Sequence, residues 1–109
     1  MNAINALYEL ARIPDVPTEQ NILIVDDEPR FRHAYRTMLA ADDRKIGEAG
    51  TGREAIDKLK HGHVDLVILD LMLPDVSGLE IMAWLTAHKI DTSVIVFSAD
   101  KSINSAIHA

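Results

Sequence analysis

The stretch Ile22-Leu23-Ile24-Val25-Asp26-Asp27 decides the fold, because it joins a wholly apolar run to a pair of carboxylates. Two further apolar strands are predicted over residues 64–69 and 94–97. Strands that are apolar throughout, rather than at alternate positions, are typical of a parallel sheet with helices on both faces. The segments between these strands have helical spacing, and parallel strands need such long crossovers. The sequence therefore predicts an α/β protein built on a doubly wound parallel sheet.

The remaining elements are predicted from apolar spacing and from residues that begin helices. A weak strand near the sheet edge is predicted over residues 45–49. Thr51 and Ser77 each precede a Glu by three residues, which is the capping-box pattern, and Pro29 suits a first helical turn. Helices are accordingly predicted over residues 29–41, 53–60 and 79–87, and a further helix is predicted to begin over Ser102–Ala109.

Residues 1–20 are predicted to form an N-terminal helix and a linker ahead of the main domain, which comprises residues 21–109. Ile4, Leu7 and Tyr8 recur at helical spacing, and a segment with two prolines then ends the helix. This helix packs on its own domain, frays as a leader, or mediates contacts in a dimer. The spacing alone leaves these alternatives open.

The composition limits the classes of function. Of the 109 residues, 48% are hydrophobic and 26% are charged, which is ordinary for a globular domain and argues against disorder. The net charge of −6, without a basic cluster, argues against direct binding to nucleic acid. No apolar run approaches the roughly 20 residues that cross a bilayer, so no membrane contact is expected. The absence of cysteine suits a cytoplasmic protein, which is the expected location.

Polar side chains follow the predicted strands. Asp26 and Asp27 come after the first strand, Asp70 ends the third, and Ser98 follows the fourth. Ligands of an open parallel sheet bind beyond the carboxyl ends of its strands, so we expect these groups to gather there. Crowded carboxylates repel one another unless a cation or a proton relieves them, and oxygen-only ligands suit Mg²⁺. The alternative is that the aspartates only cap the helices that follow them.

The motifs around these residues resemble the receiver domains of two-component response regulators, which have a flavodoxin-like fold. Residues 22–28, Ile-Leu-Ile-Val-Asp-Asp-Glu, are similar to the family's first strand and acidic pair. Residues 67–78, Val-Ile-Leu-Asp-Leu-Met-Leu-Pro-Asp-Val-Ser-Gly, resemble its phosphorylation strand and the loop that follows. Residues 94–99 resemble its fourth strand and switch hydroxyl. The resemblance covers residues 21–109 and implies the strand order 2-1-3-4.

The resemblance also implies a role for each site residue. Asp70 would be the phosphoacceptor, and Asp26 and Asp27 would hold Mg²⁺ together with Asp70 and the backbone carbonyl of Met72. Ser98 would be the switch hydroxyl that hydrogen-bonds the phosphoryl group. The phosphodonor would be a histidine kinase or a phosphotransfer protein of a bacterial phosphorelay. The switched surface would control a partner or an output domain beyond Ala109, so the protein would be a signalling domain rather than an enzyme.

One feature of the family has no counterpart in the chain. Members of the family carry a Lys after a fifth strand, roughly twenty residues beyond the switch hydroxyl, and Lys101 is only three residues beyond Ser98. The fifth strand and the last helix are therefore expected to be missing, and the domain to be incomplete at its C-terminal end. The fourth strand would then be an exposed apolar edge, which favours pairing with another chain. We expect this fragment to form a homo-oligomer or a swapped dimer.

Three other functions are weighed against the phosphoacceptor. A Mg²⁺-dependent phosphohydrolase with an aspartyl nucleophile usually has a second Asp two residues after the first, and this position is Met72. A flavodoxin-like module that binds FMN would need a phosphate loop, which the sequence does not offer. A receiver-like interaction domain that is never phosphorylated usually lacks one or more of the three aspartates, and this chain has Asp26, Asp27 and Asp70.

Overall fold

The computed structural model of the protein describes residues 20–97 and 103–108. The predicted N-terminal helix, residues 1–13, and the predicted switch residue Ser98 lie outside these ranges. The described strands are β1 (Gln20–Val25), β2 (Arg44–Ala49), β3 (Leu66–Asp70), β4 (Ser93–Phe97) and β5 (Ile103–His108). The described helices are α1 (Pro29–Leu39), α2 (Gly52–His61) and α3 (Gly78–Ala87). No helix in these ranges has both the length and the apolar character that crossing a membrane requires.

The sheet has the strand order β2-β1-β3-β4-β5, and β1 to β4 are parallel. This confirms the predicted doubly wound α/β fold and the order 2-1-3-4. The weak strand predicted near the edge is β2, which pairs only with β1 among the described strands. In the shared register, Val25 of β1 lies beside Leu69 of β3, so these strands end level with each other. The residues that follow them are thereby brought to one edge of the sheet.

The helix predicted over Ser102–Ala109 was wrong. Residues 103–108 form β5, which runs antiparallel to β4 with Val94 beside Ile107 and with an irregular register between Val96 and Phe97. The backbone N–H and C=O groups along an edge strand favour pairing, whereas a helix of so few residues is marginal. The expectation that β4 would be an exposed edge is corrected for the same reason, since the chain itself pairs with β4.

The core is divided between the two faces of the sheet, because alternate side chains of a strand point to opposite faces. Burial of one aliphatic side chain contributes roughly 1.5–3 kcal/mol, so both layers hold the sheet in place. On the face covered by α1 the buried cluster comprises Ile22, Ile24, Tyr35, Leu39, Ile68, Ile95 and Phe97. On the opposite face the cluster packs against α2 and α3 and comprises Leu23, Val25, Ala49, Ala55, Leu59, Val67, Leu69, Ile81, Leu85, Val94 and Val96.

The predicted helix starts are confirmed. The hydroxyl of Thr51 accepts a hydrogen bond from the backbone N–H of Glu54 at 3.1 Å, and that of Ser77 accepts one from Leu79 at 3.0 Å. The Glu54 carboxylate bonds to the N–H of Gly50 at 2.9 Å, one residue before the position that a capping box predicts. Pro29 lies in the first turn of α1, where its missing N–H costs nothing.

Candidate metal centre at the carboxyl ends of the strands

Three carboxylates converge where β1 and β3 end. One carboxylate oxygen from each of Asp26, Asp27 and Asp70 lies within 4.8 Å of the others. Asp26 and Asp70 are buried, with 1% and 3% of their surfaces exposed, whereas Asp27 is exposed. The predicted meeting of these side chains is therefore confirmed, and the cluster has one side open to solvent. We call these three residues the acidic trio.

Asp26 is fixed from three directions. Its N–H donates to the carbonyl of Ala49 at the end of β2, at 3.1 Å, which continues the pairing beyond β1. Its carboxylate Oδ1 accepts from the N–H of Glu28 at 2.9 Å, and its carbonyl accepts from Nη1 of Arg32 at 2.6 Å. The two backbone bonds fix the main chain at Asp26, and the carboxylate cannot turn away from the sheet edge without loss of the Glu28 bond.

Asp70 is held by the loop that follows it. Its Oδ1 accepts from the N–H of Met72 at 3.0 Å, and the N–H of Leu71 donates to the carbonyl of Phe97 at 3.2 Å. The loop then returns close to β3, where a Cβ on Gly78 would lie 2.8 Å from the carbonyl oxygen of Asp70. Only a glycine permits that approach, so the helix start at Gly78 sets the position of Asp70. The side chain of Met72 is 64% exposed and takes no part in this packing.

The helix-cap alternative accounts for neither buried aspartate. The N-cap residue of α1 is Glu28 and that of α3 is Ser77. Asp26 and Asp70 instead bond to the N–H groups two residues further on, which is the local turn that an Asp side chain commonly makes. These bonds orient the carboxylates but do not explain why three of them share one place.

An ion-pair network lies beside Asp26. Nε of Arg32 and Nε of Arg36 bind the two oxygens of the Glu48 carboxylate, at 3.1 and 2.7 Å. The hydrogen bond from Arg36 is the main cause that lowers the pKa of Glu48, and the Arg32 bond and both positive charges act in the same direction. Since Arg32 also binds the carbonyl of Asp26, this network joins α1 and β2 to the acidic trio. Sequence reasoning missed it, because the Arg–Glu pairs are formed across two elements.

A second contact missed from the sequence anchors the loop between β3 and α3. The Asp75 carboxylate accepts from the N–H groups of Gly52 and Arg53, at 2.8 and 2.9 Å, and from that of Val76 at 2.9 Å. The bonds from Arg53 and Gly52 lower the pKa of Asp75. An anion at the N-terminus of α2 is also favoured by the helix dipole. The loop that carries Met72 is thereby tied to the N-terminus of α2.

The acidic trio fits a divalent cation. Carboxylates at such short distances repel one another, and a cation relieves that cost. The donor set contains only oxygen, with no His or Cys, which suits Mg²⁺ better than zinc or another transition metal. The open side at Asp27 leaves room for water or for a phosphoryl oxygen, which Mg²⁺ retains in such sites.

The chain belongs to the response regulator receiver domain family, whose sequence profile matches residues 22–109. The family resemblance is therefore confirmed, and so is the class of signalling domain that it implies, which occurs in bacterial two-component systems. The match begins at the first residue of the stretch that precedes the acidic pair and extends through β5.

Individual relatives agree with this assignment. The chain is 38% identical over 86 residues to the regulatory protein LuxO of Vibrio vulnificus, a match that covers 79% of this chain and 19% of that protein. It is 39% identical over 85 residues to the transcriptional regulatory protein ResD of Bacillus subtilis, with 78% of this chain and 35% of that protein covered. The chain thus spans between about a fifth and about a third of the length of these two curated relatives.

A solved structure supports the fold and bears on the metal. The response regulator TrrA of Thermotoga maritima superposes with a TM-score of 0.68 at 39% identity, over 73% of this chain and 70% of that one. That protein was crystallised in complex with Mg²⁺ and BeF. A relative of similar fold thus binds the cation that the acidic trio fits.

Proposed function

We propose that this chain is the phosphoacceptor of a two-component phosphorelay, with Asp70 as the residue that is phosphorylated. Asp26, Asp27 and Asp70 would hold Mg²⁺, and the backbone carbonyl of Met72 would be a further ligand. The observation that carries the proposal is the convergence of three carboxylates within 4.8 Å in a receiver-family chain. The phosphodonor would be a histidine kinase or a phosphotransfer protein.

The proposed reaction is a phosphoryl transfer to a carboxylate. An oxygen of Asp70 attacks phosphorus, the bond from phosphorus to the donor nitrogen or oxygen breaks, and the donor atom keeps the electron pair and takes a proton. When bound, Mg²⁺ would neutralise charge on the transferring group. The N–H of Met72 fixes the plane of the Asp70 carboxylate through Oδ1, so the second oxygen has a defined direction. The product is an acyl phosphate on the protein itself, which makes the domain a switch rather than a turnover enzyme.

The switch would act through the end of β4. Phosphorylation adds roughly −1.5 to −2 charges and several acceptor oxygens beside Asp70. The bond between the N–H of Leu71 and the carbonyl of Phe97 joins the residue after Asp70 to the last residue of β4. Ser98 comes directly after Phe97, and we propose that its hydroxyl binds the phosphoryl group. The surface beyond β4 would then change and control a partner or an output domain.

The arrangement of the whole protein is also proposed. Residues 21–109 would act as the receiver unit and residues 1–20 as a preceding helix and linker, in the cytoplasm and without direct contact to nucleic acid. Because β5 pairs with β4 within one chain, the edge of β4 is not open for pairing with a second copy. A homo-oligomer would therefore form through another surface or by exchange of β5. A swapped dimer, in which β5 pairs with β4 of a second copy, stays a prediction.

The test is phosphorylation of the isolated chain by acetyl phosphate, followed by mass spectrometry. With Mg²⁺, we expect the mass of one added phosphate on the peptide that contains Asp70, and none after chelation of the cation. Asp70→Asn should abolish the addition, while Asp91→Asn, a change of an exposed carboxylate outside the trio, should not. An unmodified wild-type chain would contradict the proposal. Repeated release of phosphate from a phosphomonoester would instead favour a hydrolase.

A further inference from the structure

Tyr35 has a buried hydroxyl that no other described residue binds. The residue is 2% exposed, and among the described residues its hydroxyl oxygen is a buried polar atom with no hydrogen-bond partner. Its ring packs against Phe97, with 5.3 Å between the ring centroids, and is stacked on Phe31 at 6.3 Å. A phenylalanine would make the same ring contacts without the cost of a buried, unsatisfied hydroxyl, which is about 1–3 kcal/mol.

Tyr35 lies on the same face of the sheet as the side chain of Asp70. Tyr35 belongs to the cluster that includes Ile68 and Phe97, on the face covered by α1. Asp70 is two residues after Ile68 and lies beside Phe97 in the register of β3 and β4, so its side chain points to this face as well. The ring that Tyr35 contacts is thus the immediate neighbour of Asp70 on the adjacent strand.

Electrostatics support this proximity. Burial raises the pKa of Tyr35 well above its usual range, and the negative charges of Asp26 and Asp70 raise it further. The hydroxyl is therefore protonated at any physiological pH and is available as a hydrogen-bond donor. The carboxylates of Asp26 and Asp70 are thus close enough to affect the ionisation of the hydroxyl. Phosphorylation of Asp70 would add further negative charge beside it.

We propose that the Tyr35 hydroxyl donates a hydrogen bond to an oxygen of the phosphorylated Asp70 side chain and thereby stabilises the phosphorylated state. The inference rests on the proposed function, since it assigns a further residue to the same site. Among the described residues the hydroxyl has no hydrogen-bond partner before phosphorylation, and the added phosphoryl oxygens would supply one. The bond would form only in the phosphorylated state, because only there does the Asp70 side chain offer an oxygen within reach of the hydroxyl.

The test compares Tyr35→Phe with the wild type by titration of beryllofluoride, a phosphoryl mimic, in the presence of Mg²⁺. A hydrogen bond to a charged acceptor corresponds to roughly a tenfold or larger change in affinity, so we expect beryllofluoride to bind about tenfold more weakly. The acyl phosphate formed from acetyl phosphate should also decay faster. The unmodified variant should melt at the same or a higher temperature, because it has lost only an unsatisfied group.

A matched control separates the hydroxyl from core packing. Ile95→Val removes one methyl group from the same buried cluster but keeps Tyr35, so it should lower the melting temperature and leave beryllofluoride affinity within about twofold of the wild type. A second readout uses ¹³C-labelled tyrosine in a Tyr8→Phe background. There the Cζ resonance of Tyr35 should shift when Mg²⁺ and beryllofluoride are added together.

The outcomes distinguish the two proposals. If the wild type does not bind beryllofluoride with Mg²⁺ and is not phosphorylated by acetyl phosphate, the proposed function fails. If the wild type binds and Tyr35→Phe binds equally well, with an unmoved Cζ resonance, only the role of Tyr35 fails. Weaker binding by Tyr35→Phe with undiminished stability supports it.

Discussion

The two ends of β3 carry carboxylates in opposite circumstances. Asp65, just before the strand, accepts the N–H of Asn21 at 2.8 Å and contacts Nε2 of His63 at 2.7 Å. The Asn21 bond is the main cause that lowers the pKa of Asp65. Asp70, at the other end, lies within 4.8 Å of the carboxylates of Asp26 and Asp27.

The difference separates a carboxylate that stabilises the fold from one for which we propose a function. At Asp65 donors surround the charge, so ionisation stabilises the fold. In the acidic trio like charges face one another, so the fold carries an electrostatic cost that a cation or a phosphoryl–metal pair would relieve. Asp65 and Asp70 are therefore expected to respond in opposite ways to mutation, to Mg²⁺ and to pH.

The largest expected effect is stabilisation by Mg²⁺. At a concentration one hundred times its Kd, a ligand that binds only the folded state adds about 2.7 kcal/mol to the free energy of unfolding. We expect wild type and Asp65→Asn to gain this stability in urea titrations, and Asp26→Asn to lose most of it. Without Mg²⁺, Asp26→Asn should equal or exceed the wild type in stability, because a like charge has been removed. Equal Mg²⁺ responses in Asp26→Asn and the wild type would refute the metal site.

The next effect concerns the glycine that positions Asp70. In Gly78→Ala the new Cβ would lie 2.8 Å from backbone atoms of Asp70 and Leu71, so the loop must shift. We expect a loss of about 1–3 kcal/mol in chemical denaturation and weaker Mg²⁺ binding. Gly62→Ala is the matched control, since its Cβ would meet only the Lys58 carbonyl at an ordinary 3.8 Å. Similar losses in the two variants would show that Gly78 acts through helix or chain properties rather than through Asp70.

A smaller effect should follow from cutting the Asp75 anchor. Asp75→Ala removes the acceptor for the N–H groups of Gly52 and Arg53 and frees the loop that carries Met72. We expect Mg²⁺ affinity to fall by roughly tenfold, the lower end of the range for residues that orient metal ligands indirectly. Calorimetric titration of Mg²⁺ would measure this, with Asp91→Ala as the exposed control. Unchanged affinity would limit Asp75 to a role in loop stability.

The smallest effect is the acid response of Asp65. Its folded-state pKa is lowered, so the unfolded chain binds more protons as the pH falls. The stability that Asp65 contributes is therefore complete above its unfolded pKa of about 3.9 and is lost as the pH falls through the folded-state pKa. Asp65→Asn should flatten the decline of stability in this acid range, whereas Asp42→Asn, at an exposed position, should not. Parallel pH profiles for wild type and Asp65→Asn would contradict the assignment.

Much of this could be predicted from the sequence because its causes are local or periodic. The apolar runs predicted β1, β3 and β4, and the hydroxyls of Thr51 and Ser77 predicted where two helices begin. The meeting of Asp26 with Asp70 followed from a general property of parallel sheets, whose strands carry ligands at one end. The roles of Asp26, Asp27, Asp70 and Met72 in metal binding and phosphorylation stay predictions, and so does that of Ser98, which lies outside the described residues.

The sequence by itself determined the class of sheet, most helix boundaries and the place where the acidic trio gathers, since periodicity and strand direction specify these. Only the tertiary structure decided the pairing of β5 with β4, the Asp75 bonds to α2 and the burial of the Tyr35 hydroxyl. Each of these depends on groups distant in the chain that meet through packing. Local propensity carries no information about such meetings, so a short segment that suits a helix can form a strand where an edge needs partners.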